Sequence, residues 1–191
     1  SCLASEISFD TMLDTIRALC MDPDINLDKK VYHSEMSHIS RNRAIAYLLE
    51  SKGYIEKNKD VENSLHFYVK MCSLSVTAES LAGLGLILAN DGIHPDTGKR
   101  LLSSQAVKIV KTLMFTCGMY DGSGEFAVRV GIPSKSGVGG GILSVVDGEM
   151  GIGIFGPALD KKGNSVAGEC VLEYMSHELH LHMFDPQRHT L

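Results

Sequence analysis

A lysine, a serine and a run of glycines stand together at Lys135-Ser136-Gly137-Val138-Gly139-Gly140-Gly141. Glycines carry no Cβ, so a ligand or a second backbone can approach this stretch closely. A Lys and a Ser beside an open strand edge can hold a substrate against main-chain N–H donors, the way acyl-transfer enzymes build an oxyanion hole. Upstream, Cys117-Gly118-Met119-Tyr120-Asp121-Gly122-Ser123-Gly124 sets Tyr120 among three glycines and outside any apolar stripe. The chain has only six tyrosines, and one with no core to fill is a candidate for hydroxyl chemistry, since a phenol both donates and accepts. Taken alone, K-S-G followed by glycines is also a permissible hairpin loop.

Other reactive side chains make weaker sets. His177, His180 and His182 crowd the end of a helical stretch at spacings of three and two, whereas helical metal ligands usually sit four apart with an acidic or thiol partner. A solvated helix face is the simpler reading. His33 and His38 flank Glu35 in a polar segment that does not complete a ligand set. GVGGG precedes no helix, which argues against a phosphate cradle, and Gly122-Ser123-Gly124 lacks the strand-to-helix context of a nucleophile elbow. No metal and no cofactor is expected.

The elements that must position these residues are helical first. Phe9, Met12, Leu13, Ile16, Leu19 and Cys20 recur at helical spacing before Met21-Asp22-Pro23. The segment Asp24 to Ser40 reads as a long loop ending in a cap at Ser40. Ile45, Leu48 and Leu49 mark a helix from Arg41 to Lys52, and Leu65, Phe67, Tyr68 and Val69 mark another from Val61 to Cys72. Thr77 caps a third, apolar nearly all round and therefore central to a core. Ser103 or Ser104 caps a fourth, Gln105 to Phe115. Alternation in Glu125–Gly131 and Gly141–Val146 predicts two strands flanking the K-S-G apex. Asp147-Gly148 turns the chain into a third strand, Met150–Phe155. Val171 to Met183 reads as a closing helix. The expectation is an α+β fold with helices packed on an antiparallel sheet: a helical region over about 9–116, a β-meander over about 125–156, and a closing helix over about 171–183.

Composition excludes several classes. The 191 residues carry a formal net charge of −5, without the basic footprint that nucleic-acid binders need. No apolar run approaches the roughly 20 residues that span a bilayer. Five widely spaced cysteines, Cys2, Cys20, Cys72, Cys117 and Cys170, form no C-x-x-C pair and fit a reducing compartment. The first residue is Ser1, so the native N-terminus is expected to lie elsewhere.

K-S-G at a strand edge resembles the K-T-G element of serine β-lactamases and penicillin-binding proteins. Four motifs in order, Y-H-S-E-x(6)-N at Tyr32–Asn42, F-Y at Phe67-Tyr68, C-G-M-Y-D at Cys117–Asp121 and K-S-G-V-G-G-G at Lys135–Gly141, resemble one branch of that superfamily, the serine-dependent glutaminases, from about Phe9 to Asn164-Ser165. The resemblance implies a β-lactamase/transpeptidase-like fold and hydrolysis of L-glutamine to glutamate and ammonia. It implies that Glu35 receives the substrate α-ammonium group and that Asn42 holds its backbone groups. By the same match Tyr68 lines the site beside the nucleophile, Tyr120 relays protons there, and the Val138 N–H contributes to the oxyanion hole. It also implies a homo-oligomer, dimer or tetramer, in the cytoplasm, or in a mitochondrion if the source is eukaryotic.

The family's nucleophile is the Ser of an S-x-x-K element. No Lys of this chain has a Ser three residues before it, and the matching region lies upstream of Phe9. The chain is therefore expected to be the C-terminal portion of one catalytic domain, its nucleophile supplied upstream and its sheet left with an open edge. The alternative is a catalytically inactive fragment or descendant that binds an amino acid or a partner chain. A penicillin-recognising hydrolase shares K-S-G but is disfavoured by Glu35 and Tyr120, which suit an amino-acid substrate.

Overall fold

The computed structural model describes residues 6–55 and 60–188. Two compact units emerge: residues up to Ala18 with Pro23–Val76, and Leu19–Asp22 with everything from Thr77 onward. Cys2 lies outside the described residues. Cys20 is buried, and Cys72, Cys117 and Cys170 are exposed free thiols. Burial, and then the charge of Asp22, push the Cys20 thiol up to about 11.

The first unit is built from α1 (Phe9–Cys20), β1 (Asn26–Leu27), α2 (Lys29–Ser37), α3 (Ser40–Ser51), α4 (Val61–Cys72) and β2 (Leu74–Ser75), the two short strands pairing antiparallel. Ile39, Val61, Leu65 and Val69 form its core, with Tyr32, Met36, Ala46 and Ile55 packed against it. The polar segment expected as a loop is in part the helix α2. Asp28 caps it, its side chain accepting from the Lys30 and Val31 amides. The helix escapes periodicity because it buries no residue fully and offers only Tyr32 and Met36 to the core. In α3 the apolar residues that mark the helix, Ile45, Leu48 and Leu49, are exposed.

The second unit holds α5 (Ala78–Ala89), α6 (Ser104–Cys117), α7 (Ser123–Arg129), β3 (Ser134–Ser136), β4 (Gly141–Val146), β5 (Met150–Phe155) and α8 (Val166–Glu178). The sheet order is β3-β4-β5, antiparallel throughout, with Lys135 opposite Leu143 and Leu143 opposite Gly153. Thr77 caps α5 through a capping box with Ser80, and Ser103 caps α6. Two cores flank the sheet: Val145, Leu143, Leu88 and Val107 on one side, and Ile142, Ile152, Phe126, Val130 and Leu172 on the other.

The predicted strand Glu125–Gly131 is corrected to a helix, α7. Phe126, Val128 and Val130 alternate, but Phe126 and Val130 are also four apart. Those two are buried while Val128 is 79 % exposed, so the helical period decides. Lys135 and Ser136 accordingly belong to strand β3 itself, and Gly137 opens the turn that joins it to β4. The closing helix begins five residues earlier than expected, because Ser165 caps it by accepting from the Gly168 amide. Positive φ at His180 follows its end.

α5 lies on the sheet at backbone contact. A Cβ on Gly153 would stand 1.8 Å from the Ala78 carbonyl oxygen, and one on Gly151 would stand 2.2 Å from that of Ala82. Gly153→Ala is therefore expected to destabilise by at least the roughly 1–3 kcal/mol of core overpacking. Gly124→Ala, in α7 with nothing within 4 Å of the added carbon, is expected to be neutral or to stabilise by up to about 1 kcal/mol. Urea unfolding of the two variants beside the parent measures both.

Candidate active site

Tyr120 projects from a 3-10 turn, Tyr120–Gly122, at the end of α6. Its φ is 52°, a left-handed conformation that costs a non-glycine residue roughly 1–2 kcal/mol. Several bonds hold it there. The Ser123 hydroxyl accepts from the Met119 amide at 3.0 Å and donates to the Tyr120 carbonyl at 2.8 Å. The Met119 carbonyl accepts from the Gly122 amide at 3.0 Å and from Asn164 Nδ2 at 3.2 Å.

The K-S-G strand runs directly alongside. The Ser136 amide donates to the Gly118 carbonyl at 3.0 Å, and a Cβ on Gly118 would stand 1.9 Å from the Ser134 carbonyl oxygen. Glycine at 118 is thus what lets the tyrosine turn reach the strand. Lys135 Nζ stands 4.7 Å from the centroid of the Tyr120 ring, within cation–π range, and also donates to the Ser136 carbonyl. The Ser136 hydroxyl is buried and takes no hydrogen-bond partner among the described residues. Beyond β3 the chain turns through Gly137–Gly140, closed by the Gly137 amide on the Gly141 carbonyl and the Gly140 amide on the Gly137 carbonyl, both 2.9 Å. Val138 sits exposed on that turn.

The loop between β5 and α8 backs this group. Asp160 Oδ1 accepts from the Lys162 amide at 2.8 Å and the Asn164 amide at 2.9 Å. Gly163 lies at φ 97°, where a Cβ would be 3.6 Å from both the Tyr120 ring and the Val138 side chain. Lys162 Nζ pairs with Glu125 at 2.8 Å, and Arg129 extends the network to Glu169 and Glu173. The Lys162 hydrogen bond holds the Glu125 carboxyl below the usual range. Asp followed by Gly-Asn is a turn signal in sequence, but nothing local says that this turn leans on a tyrosine some forty residues earlier.

In the first unit, Glu35 is exposed on α2, Asn42 half-buried on α3 and Tyr68 exposed on α4. The helices carrying Asn42 and Tyr68 are tied by Arg43, which donates from Nε and Nη2 to the two Glu62 oxygens at 2.9 and 3.0 Å. That bidentate pair lowers the Glu62 pKa and raises that of Arg43. His66 Nδ1 lies 2.6 Å from the Tyr32 hydroxyl and joins α4 to α2. The structure thus groups Tyr120 with Val138, and Glu35, Asn42 and Tyr68 on the helices of the other unit. Among the described residues no three His, Cys, Asp or Glu side chains cluster as metal ligands, and no helix is long and apolar enough to cross a membrane. A cavity of about 670 Å³ in the second unit, lined by Lys108, Lys111, Phe115, Val145, Asp147 and Arg188 among others, includes none of the predicted site residues.

An α+β arrangement with a K-S-G edge strand beside a tyrosine turn is that of the β-lactamase-like hydrolases. A solved covalent complex of a Bacillus subtilis glutaminase with 5-oxo-L-norleucine, formed by reaction with 6-diazo-5-oxo-L-norleucine, matches with a TM-score of 0.86 at 39 % identity, over 92 % of this chain and 61 % of that one. Residues 3–184 match the glutaminase family, and the chain belongs to it. A glutaminase of Clostridium tetani is 52 % identical over 175 residues, 92 % of this chain and 56 % of its own length. One of Clostridioides difficile is 52 % identical over 184 residues, 96 % of this chain and 58 % of its own. The chain thus spans little more than half the length of these relatives.

The Asp160 carboxyl is held below its ordinary value of 3.8, first by the Asn164 amide and then by those of Lys162 and Gly163, against some desolvation. A carboxylate depressed in the folded state stabilises above its unfolded pKa, and that contribution is lost as pH falls through the folded value. The loop is therefore expected to loosen only on acidification below 3.8. The amide resonances of Lys162 and Asn164, followed by NMR against pH, should titrate with a midpoint under that value, and Asp160→Asn should abolish the titration.

Proposed function

We propose that this chain is the C-terminal portion of a single catalytic domain that hydrolyses L-glutamine to L-glutamate and ammonia through a serine acyl-enzyme. The serine is supplied by residues upstream of Ser1. The observation that carries the reading is Tyr120, held in a costly backbone conformation against the K-S-G strand with Lys135 over its ring. A hydroxyl so placed both donates and accepts a proton, and the glycines of the turn, which carry no Cβ, let a substrate oxygen approach its backbone closely. The Val138 N–H takes the oxyanion role, where a preorganised donor stabilises charge as it develops. Ionised Glu35 pairs with the substrate ammonium, Asn42 holds its backbone groups, and Tyr68 lines the site. The relatives' names, and the norleucine-derived complex of one of them, support glutamine as the substrate. The protein works as a homo-oligomer, dimer or tetramer, in the cytoplasm.

Three measurements test this. The purified 191-residue chain should release no ammonia from glutamine above a boiled control, because it carries no S-x-x-K. Activity in that chain would overturn the assignment of the nucleophile.

In the full-length protein Glu35→Gln should act mainly on KM, since its partner is charged in ground and transition states alike. Losing a charge-assisted hydrogen bond of roughly 1.5–3 kcal/mol corresponds to about a ten- to hundredfold rise. An unchanged KM removes Glu35 from substrate binding.

Tyr120→Phe, again in the full-length protein, should lower kcat by roughly 100- to 10,000-fold with little change in KM, the usual range for a positioned proton-transfer group. Retention of more than about a third of kcat, far outside that range, makes the tyrosine a wall of the pocket and nothing more.

A further inference from the structure

Asn164 is the residue of the second unit whose surroundings are hardest to explain as packing. Its side chain is 0 % exposed, yet of its two polar atoms only Nδ2 is used, donating to the Met119 carbonyl at 3.2 Å. Oδ1 has no hydrogen-bond partner among the described residues. A buried amide left half-satisfied is a costly filler beside an apolar side chain of the same size. What it contributes must lie in the one bond it makes, and that bond falls on the peptide that carries Tyr120.

The residue is itself fixed from both sides. The Asn164 amide donates to Asp160 Oδ1 at 2.9 Å, and its carbonyl accepts from the Asp160 amide at 2.8 Å. The next residue, Ser165, caps α8 and is fully buried. The loop's remaining residues press on the same turn. Gly163 faces the Tyr120 ring, and the Lys162 stem passes over Gly122, 3.2 Å from where a Cβ there would be, before its ammonium reaches Glu125. Just after β5 and ahead of the loop, the Gly156 amide donates to the Gly140 carbonyl at 2.9 Å, on the turn that also bears Val138.

We propose that Asn164 is a positioning residue for Tyr120, and that the loop Asp160–Asn164 is a clamp that sets the tyrosine's left-handed turn in register with the K-S-G strand. The clamp has two parts: the buried Asn164 amide on the Met119 carbonyl, and the Lys162–Glu125 pair closing over Gly122. Its catalytic consequence rests on the reading of Tyr120 given above, but its structural consequence does not. Without the Asn164 donor the Met119 carbonyl keeps only the Gly122 amide. The turn then relaxes toward ordinary backbone angles, and the ring leaves Lys135. Substrate affinity, assigned to Glu35 and Asn42, is untouched.

The test has two arms. In the 191-residue chain with ring-labelled tyrosine, Tyr120→Phe identifies the Tyr120 signal. Asn164→Ala should then shift or broaden that signal while leaving those of Tyr32, Tyr47, Tyr54, Tyr68 and Tyr174 in place. In the full-length protein the same substitution should lower kcat by about ten- to a hundredfold, the scale of a displacement near 1 Å, with KM changed less than about threefold. Lys162→Ala, at an exposed position, should do both to a smaller degree, and it decides the matter if Asn164→Ala does not fold. An unmoved Tyr120 signal in the folded variants overturns the clamp. So does a uniform change across all six tyrosines with kcat lost only in step with melting temperature. If the signal moves but Tyr120→Phe itself keeps its kcat, the clamp stands and the catalytic reading of Tyr120 falls. If Tyr120→Phe loses kcat while both clamp variants keep it, Tyr120 stands and Asn164 has no positioning role.

Discussion

The second unit depends on a helix and one strand of its sheet meeting at backbone distance. Helices normally rest on sheets through a layer of side chains. Here α5 and β5 meet at Gly85, Gly151 and Gly153, and an added carbon at any of the three would lie within 2.7 Å of the opposing backbone. Close packing gains dispersion contacts along the whole seam, and it leaves the sheet no freedom to slide beneath the helix. Since β5 fixes β4 residue by residue and β4 fixes β3, the position of the K-S-G strand is inherited from that glycine seam. The same device recurs at Gly118, which brings the tyrosine turn onto β3. Two glycine contacts, one under the sheet and one at its edge, thus fix where the K-S-G strand and the tyrosine turn lie.

Around this rigid frame the charged groups are organised as straps. Arg129 gathers Glu125, Glu169 and Glu173, and Lys162 closes on Glu125, so α7, α8 and the loop before α8 are joined at the surface. Exposed pairs of this kind stabilise little individually. Their value is geometric, because each holds a segment that flanks the Tyr120 turn. The buried Ser123 hydroxyl and Asn164 amide do the finer work of fixing its backbone.

Most of the helices could be read from the amino-acid pattern because their signals are local: Thr77 and Ser103 as caps, Leu65 and Val69 one turn apart, Asn90-Asp91-Gly92 as a stop. α7 could not. Seven residues are too few to separate a period of two from one near four when Phe126, Val128 and Val130 satisfy both. α2 was hidden because a helix lying on a small core needs few apolar residues. The exposed stripe of α3 shows that apolar spacing can identify a helix without telling which of its residues are covered. Membership of the glutaminase family was legible through four ordered motifs. The support of Tyr120 by Asn164 was not, since a hydrogen bond between residues 45 apart leaves no periodic trace.

The same glycine pairing has a consequence at the rim of the sheet. Among the described residues β5 pairs only with β4, so Met150-Gly-Ile-Gly-Ile-Phe155 is an edge strand there. That run carries no charge and no proline before Pro157, which are the usual guards against strand addition. The glycines that admit α5 on one face also keep the strand thin and weakly β-forming. The strand brings little pairing preference of its own, so its place at the rim is set by the contact of Gly151 and Gly153 with α5 and not by its composition.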